Sequence, residues 1–109
     1  MRVIKFRAWD TKANNWIEGT HLIIHMSGNL LDVPEHIILM QFTGMVDKNG
    51  KDIYEGDVLN LEGAAIGWVE YDAEAGAYRV QSHTFWHHLF QIADRKVIGN
   101  VYEDPELTR

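Results

Sequence analysis

The chain contains no cysteine, which excludes disulfides, thiolate metal sites and cysteine nucleophiles. Its only two serines are Ser27 and Ser82, and neither sits in the Gly-x-Ser-x-Gly elbow that exposes a serine nucleophile. No stretch reaches the ~18 consecutive apolar residues of a membrane span. The start, Met1-Arg2-Val3-Ile4-Lys5, carries charge too early for an export signal. A soluble, cytoplasmic protein is therefore expected. Basic charge is also scarce where it would matter for nucleic acid. Residues 1–46 balance Arg2, Lys5, Arg7 and Lys12 against Asp10, Glu18, Asp32 and Glu35, so the whole net charge of -6 falls after Val46. An acidic second half repels a phosphate backbone.

What is present suits one globular core. At 109 residues, 46% of them hydrophobic, with four Trp, four Tyr and four Phe, the chain is long enough for a single domain and too apolar for disorder. Residues 2–8 alternate, with Ile4, Phe6 and Ala8 on one side and Lys5 and Arg7 on the other, the period of a strand with one wet face. Trp9 falls in register with the polar side, and a bulge at the strand end would turn it inward. The polar run 10–15 followed by Trp16-Ile17 reads as a hairpin. Residues 21–26 alternate again, Ser27-Gly28-Asn29 marks a turn, and Pro34 breaks the next segment into a loop. Residues 36–42 are β-branched and aromatic, as strands are.

The clearest turn signal is Asp47-Lys48-Asn49-Gly50, because Asn and Gly accept the positive φ of a tight hairpin loop. Gly56 is expected to supply a bend before the strand 57–61. Residues 66–71 and 77–81 form two strands around the loop 72–76. Within 83–93 the apolar residues Phe85, Trp86, Leu89, Phe90 and Ala93 recur at spacings of one, three and four, which predicts a short helix with Ser82 as N-cap. Residues 97–102 form a last strand, ended by Pro105. The expectation is a mainly β domain of antiparallel hairpins spanning residues 1–109. Its hairpin part covers about 1–46 and a small barrel-like second half about 47–109, with one short helix near 83–93.

Chemistry-bearing residues are few and each has a structural explanation. His83 and His87 lie one helical turn apart in that reading and His21 and His25 share a strand face, but no His-Glu-x-x-His segment occurs and no carboxylate lies within 82–93 to complete a site. No metal and no cofactor is expected. Asp47, Asn49 and Asp52 superficially resemble a calcium loop, yet Asp52 stands where that loop needs its glycine. Glu70 with Asp72, and Glu103 with Asp104, show no sign of a shared cleft. Catalysis is not expected. Lys5, Arg7, Trp9 and Trp16 are the candidate binding residues, since two cations and two rings on one hairpin face suit weak single-stranded nucleic-acid binding. Two or three cations attract a phosphate chain only weakly, so the leading expectation is a protein-interaction module working by strand addition or patch docking. Self-association through the same edges is an equally physical outcome.

Three blocks also carry a family resemblance: Ile4-Lys5-Phe6-Arg7-Ala8-Trp9-Asp10, the stretch from Leu39 to Val58 with its Thr43-Gly44-Met45-Val46-Asp47 core, and the end Val97-Ile98-Gly99-Asn100-Val101-Tyr102-Glu103-Asp104-Pro105-Glu106-Leu107. In this order the chain resembles the YopX family of small phage and prophage proteins. The resemblance implies a phage or prophage setting, a host-cell cytoplasm and a host or phage protein as partner. It implies no catalytic residue, because the family carries no established activity. Gly44, Gly50, Gly56 and Gly99 are expected to serve backbone geometry. Tyr54 and Tyr102 are expected to pack with their hydroxyls at the rim. Residues 62–96 match the family least and are where individual specificity is expected.

Overall fold

The computed structural model describes residues 4–17, 35–61, 63 and 65–109. The expected strand 21–26, the turn 27–29 and the loop at Pro34 lie outside the described residues, as do His21 and His25.

A turn chemistry legible in the sequence opens the first sheet. Asp10 Oδ1 accepts the N–H groups of Lys12 and Ala13, both at 2.9 Å, and Asn14 takes a positive φ of 58°, which asparagine tolerates. This folds β1 (Phe6–Asp10) onto β2 (Asn15–Trp16). The long β3 (Ile37–Val46) then pairs with β1 in unbroken antiparallel register, from Phe6 opposite Gln41 to Asp10 opposite Ile37. With β4 (Asp52–Tyr54) the sheet order is β2-β1-β3-β4.

Trp9 departs from expectation here. It is 5% exposed although no bulge shifts the β1–β3 register. The reason is Trp16, whose ring meets it edge-on at 5.0 Å between centroids and roofs the face that alternation alone leaves wet. Ala8, on the opposite face, is also fully buried.

The second sheet is β5 (Asp57–Leu61), β6 (Ile66–Asp72), β7 (Ala77–Gln81), β8 (Trp86–His88) and β9 (Arg95–Asn100), all antiparallel in the order β8-β7-β6-β5-β9. Gly56 makes the bend into β5 at a φ of 83°, and a Cβ there would lie 3.2 Å from the Met40 sulfur. The sheet curls around Ile53, Leu59, Leu61, Val69, Val80, Leu89 and Val97, the inward positions of alternating strands. It forms an open half-barrel: β8 and β9 do not pair with each other. The β3–β4 hairpin clasps the β9 edge instead. Lys48 N–H donates to the Arg95 carbonyl at 2.9 Å, and Val97 N–H donates to Asp47 Oδ2 at 3.0 Å.

The helix expected over 83–93 is not formed. Ser82 Oγ does accept the N–H groups of Thr84 and Phe85, at 3.2 and 3.0 Å, as an N-cap does. The chain then reverses, because Ser82 N–H donates to the Phe85 carbonyl and closes a hairpin. Strand β8 comes next, and only Leu89–Gln91 winds into a single 3-10 turn. Among the described residues there is no α-helix, and a further 3-10 segment spans Pro105–Thr108. The spacings of three and four that suggested a helix come from Leu89 reaching the core after a strand whose own period is two.

Candidate interaction surface

The residues singled out on the N-terminal hairpin are brought together by the fold, but their charges are already engaged. Arg7 donates to Asp57 Oδ1 at 2.5 Å, and its guanidinium lies over the rings of Trp16 and Tyr54 at 4.8 and 4.6 Å. Asp57 is 1% exposed and also accepts the Tyr54 N–H at 2.8 Å. Burial pushes its carboxyl above the ordinary aspartate value, and the Arg7 charge offsets that only in part. Lys5 donates to Asp52 Oδ2 at 2.6 Å and lies over the Phe42 ring; that hydrogen bond raises its pKa. In the grouping of Lys5, Arg7, Trp9 and Trp16 two acids thus hold two cations, Arg7 to Asp57 of the second sheet and Lys5 to Asp52 of the first, and Trp9 is closed off from solvent.

The other polar clusters are likewise spent on backbone. The Asp47 carboxylate, which a calcium loop would need, receives the N–H groups of Asn49 and Lys51 at 2.8 and 2.9 Å as well as that of Val97. Asn100 Oδ1 receives those of Tyr102 and Glu103, and Asp104 Oδ2 receives that of Asn100. Gly99 serves close approach rather than a turn, since a Cβ there would stand 2.5 Å from Asp104 Oδ2. Tyr102 sits against Gly56, and burial raises its hydroxyl pKa. His83 Nε2 is 2.6 Å from the Thr108 carbonyl. Among the described residues no three His, Asp or Glu side chains converge as metal ligands.

What remains open is the β8 region, which the motifs did not single out. Gln81 faces Trp86 and Arg79 faces His88 across the β7–β8 pair, so Trp86 and His88 share the outer face of the half-barrel. Their rings meet edge-on at 5.3 Å, and His88 stacks on Phe90 at 5.2 Å with only 7° between planes. The result is an unbroken row of three rings. Trp86 is 49% and Phe90 63% exposed. Arg79 fixes the row's flank: it is held by Glu70 at 2.6 Å and lies 5.9 Å from the Trp86 ring.

The inner side of the same strand borders a cleft of about 520 Å³ at the open seam, lined by Phe85, His87, Leu61, Ala65 and Ile92. Strand β8 therefore presents rings outward and an apolar cleft inward. Its free edge is short and partly covered. The Ser82–Phe85 closure leaves the polar groups of Trp86 and His88 pointing away from β7, and Gln91 Oε1 accepts the His88 N–H at 3.3 Å. The signal in the sequence was the spacing Trp86, His88, Phe90, a two-residue aromatic period hidden inside an apparent helical one.

Fold and surface together define a small antiparallel-β domain with an open half-barrel and an aromatic edge strand. The YopX protein family model matches residues 5–109, and the chain belongs to that family. The crystal structure of protein EF1440 from Enterococcus faecalis is similar over 100% of both chains, with a TM-score of 0.69 and 21% identity, which shows a shared fold. Among curated proteins none matches. No helix among the described residues is long and apolar enough to cross a membrane.

Proposed function

We propose that this chain is a non-enzymatic, phage- or prophage-encoded protein-interaction module. It works in the host cytoplasm and docks a host or phage protein through the aromatic row on β8. The observation that carries this reading is the exposure of Trp86 and Phe90 in one continuous row with His88. Large rings held open on a rigid strand are the residues that dominate protein interfaces once covered. Patch docking is favoured over strand addition, because β8 offers three residues and Gln91 already occupies one outward N–H. The non-enzymatic part rests on the buried carboxylates: Asp47 and Asp57 are both consumed by internal donors, leaving neither free as acid or base.

The alternative, weak single-stranded nucleic-acid binding, draws on the partly exposed Trp16 beside Arg7. It is the lesser reading, because Lys5 and Arg7 are neutralised by Asp52 and Asp57. Pull-down from host extract with the full chain separates the two. Wild type should retain a protein that Trp86→Ala/Phe90→Ala loses, while the exposed positions leave unfolding stability within about 1 kcal/mol. Equal retention by both forms, or retention of nucleic acid alone, would overturn the proposal.

A further inference from the structure

The outer face of the β6–β7–β8 ribbon combines unequal charge with open rings. Glu70 lies opposite Arg79 and Arg79 opposite His88, so these three form one row across the strands. Asp72 shares the face by strand alternation, and Arg79 reaches it at 3.8 Å as well as Glu70 at 2.6 Å. Glu74 is exposed in the adjoining turn. Two carboxylates therefore share one cation at this end of the ribbon. The residual negative charge stands next to rings whose faces attract cations. Arg79 itself shows that a guanidinium fits between the carboxylates and the Trp86 ring.

The area and the charge both argue against a second copy as occupant. Exposed to 49% and 63%, the two rings leave open roughly 200–250 Å² of the 150–250 Å² that each aromatic side chain typically buries, whereas a stable interface needs about 800 Å² per partner. Two copies would also juxtapose the same excess of acid on a chain whose net charge is -6. Resting on the docking role proposed above, we infer that this face takes a cationic segment of a partner protein, with an arginine side chain laid against Trp86 or Phe90 and within reach of Glu70 and Asp72.

The test is a titration of the ¹⁵N-labelled full chain with three blocked glycine pentapeptides, carrying two arginines, two glutamates or two tryptophans. The arginine peptide should give saturable amide shifts confined to Glu70, Arg79, Trp86, His88 and Phe90, and these should weaken as salt is raised. Trp86→Ala should weaken its binding about two- to fivefold, the worth of one exposed cation–π contact, and Glu70→Gln should weaken it too; undisturbed spectra elsewhere show that the variants fold. Equal response to the glutamate peptide, shifts scattered over the chain, or no saturable shift overturns the inference. Binding of the tryptophan peptide alone at this face leaves the docking role standing and removes the cationic partner. A concentration-dependent dimer by light scattering, with the same amides shifting on self-association, assigns the face to a second copy and likewise removes it.

Discussion

Asp47 and Asp57 are both buried aspartates, and their surroundings pull their titrations in opposite directions. Burial alone would raise the Asp47 carboxyl, but the N–H groups of Val97, Lys51 and Asn49 together outweigh it and hold the group below its ordinary value. Its folded pKa is thus lower than its unfolded one, so its stabilisation is present above an unfolded value of about 3.9 and is lost as pH falls through the folded value. Asp57 runs the other way: raised by burial, it favours the folded state most in its protonated form, and that contribution fades as pH rises through its folded pKa. We expect Asp47→Asn to be less stable than wild type at neutral pH and to lose less on acidification below pH ~4. Urea midpoints followed by tryptophan fluorescence across pH check this; parallel profiles would refute it. At neutral pH, Asp57→Ala strands the Arg7 charge and the Tyr54 N–H. It should cost about 3 kcal/mol, the low end for a broken buried pair, because the Arg7 side chain keeps 21% exposure. Equilibrium unfolding of the variant measures the loss directly.

At the scale of elements, the hairpin β7–β8 shows how one capping residue serves two local structures. Ser82 Oγ receives the N–H groups of Thr84 and Phe85, the duty of an N-cap, yet Ser82 N–H and the Phe85 carbonyl complete a reversal. Residues 86–90 settle which structure forms. A helix would keep Trp86 and Phe90 on one face and turn His88 to the opposite one, whereas a strand keeps His87 on the side of Val80 and brings Leu89 into the half-barrel core. Ser82→Ala should lower stability by about 1 kcal/mol, the usual worth of a lost cap, and should broaden the amide signals of residues 83–88 by NMR. An unchanged midpoint would show that the backbone closure alone holds the turn. Turn chemistry was legible throughout: Asp10 and Asp72 each accept N–H groups from two residues within their own turns, as the polar runs there imply.

Across the whole molecule, the two sheets are joined by packing as well as by charge. Ile53 from β4 is fully buried in the half-barrel core, and Met45 from β3 packs against it. Arg7 of β1 holds Asp57 of β5 across the junction. The chain should therefore unfold as one cooperative unit. Leu59→Ala, which deletes a fully buried side chain, should cost about 3 kcal/mol. It should move the transition reported by Trp9 and Trp16 in the first sheet together with the one reported by far-ultraviolet circular dichroism. Two separated transitions would mean that the sheets fold independently. The plugged edges act at this scale too. Asp47 covers an N–H of β9 and Gln91 one of β8, which limits edge-to-edge association of the open half-barrel.

The strand through residues 6–8, the Asp47–Gly50 turn, the bend at Gly56 and the loop 72–76 were readable from the chain, because each depends on residues adjacent in sequence. The same is true of the family, whose matching blocks are largely these bends and pleats. Ile4, expected on the core side of the first strand, instead precedes β1 and is 64% exposed. Long-range pairing decided the rest. Trp9 is covered by Trp16 folding over it, the charges of Lys5 and Arg7 are paired because Asp52 and Asp57 arrive from other strands, and the ring row forms because the Ser82–Phe85 turn sets residues 86–88 as a strand and a 3-10 turn follows at Leu89–Gln91. A side chain's own chemistry is written in the sequence, whereas its availability to a partner depends on which distant groups reach it first.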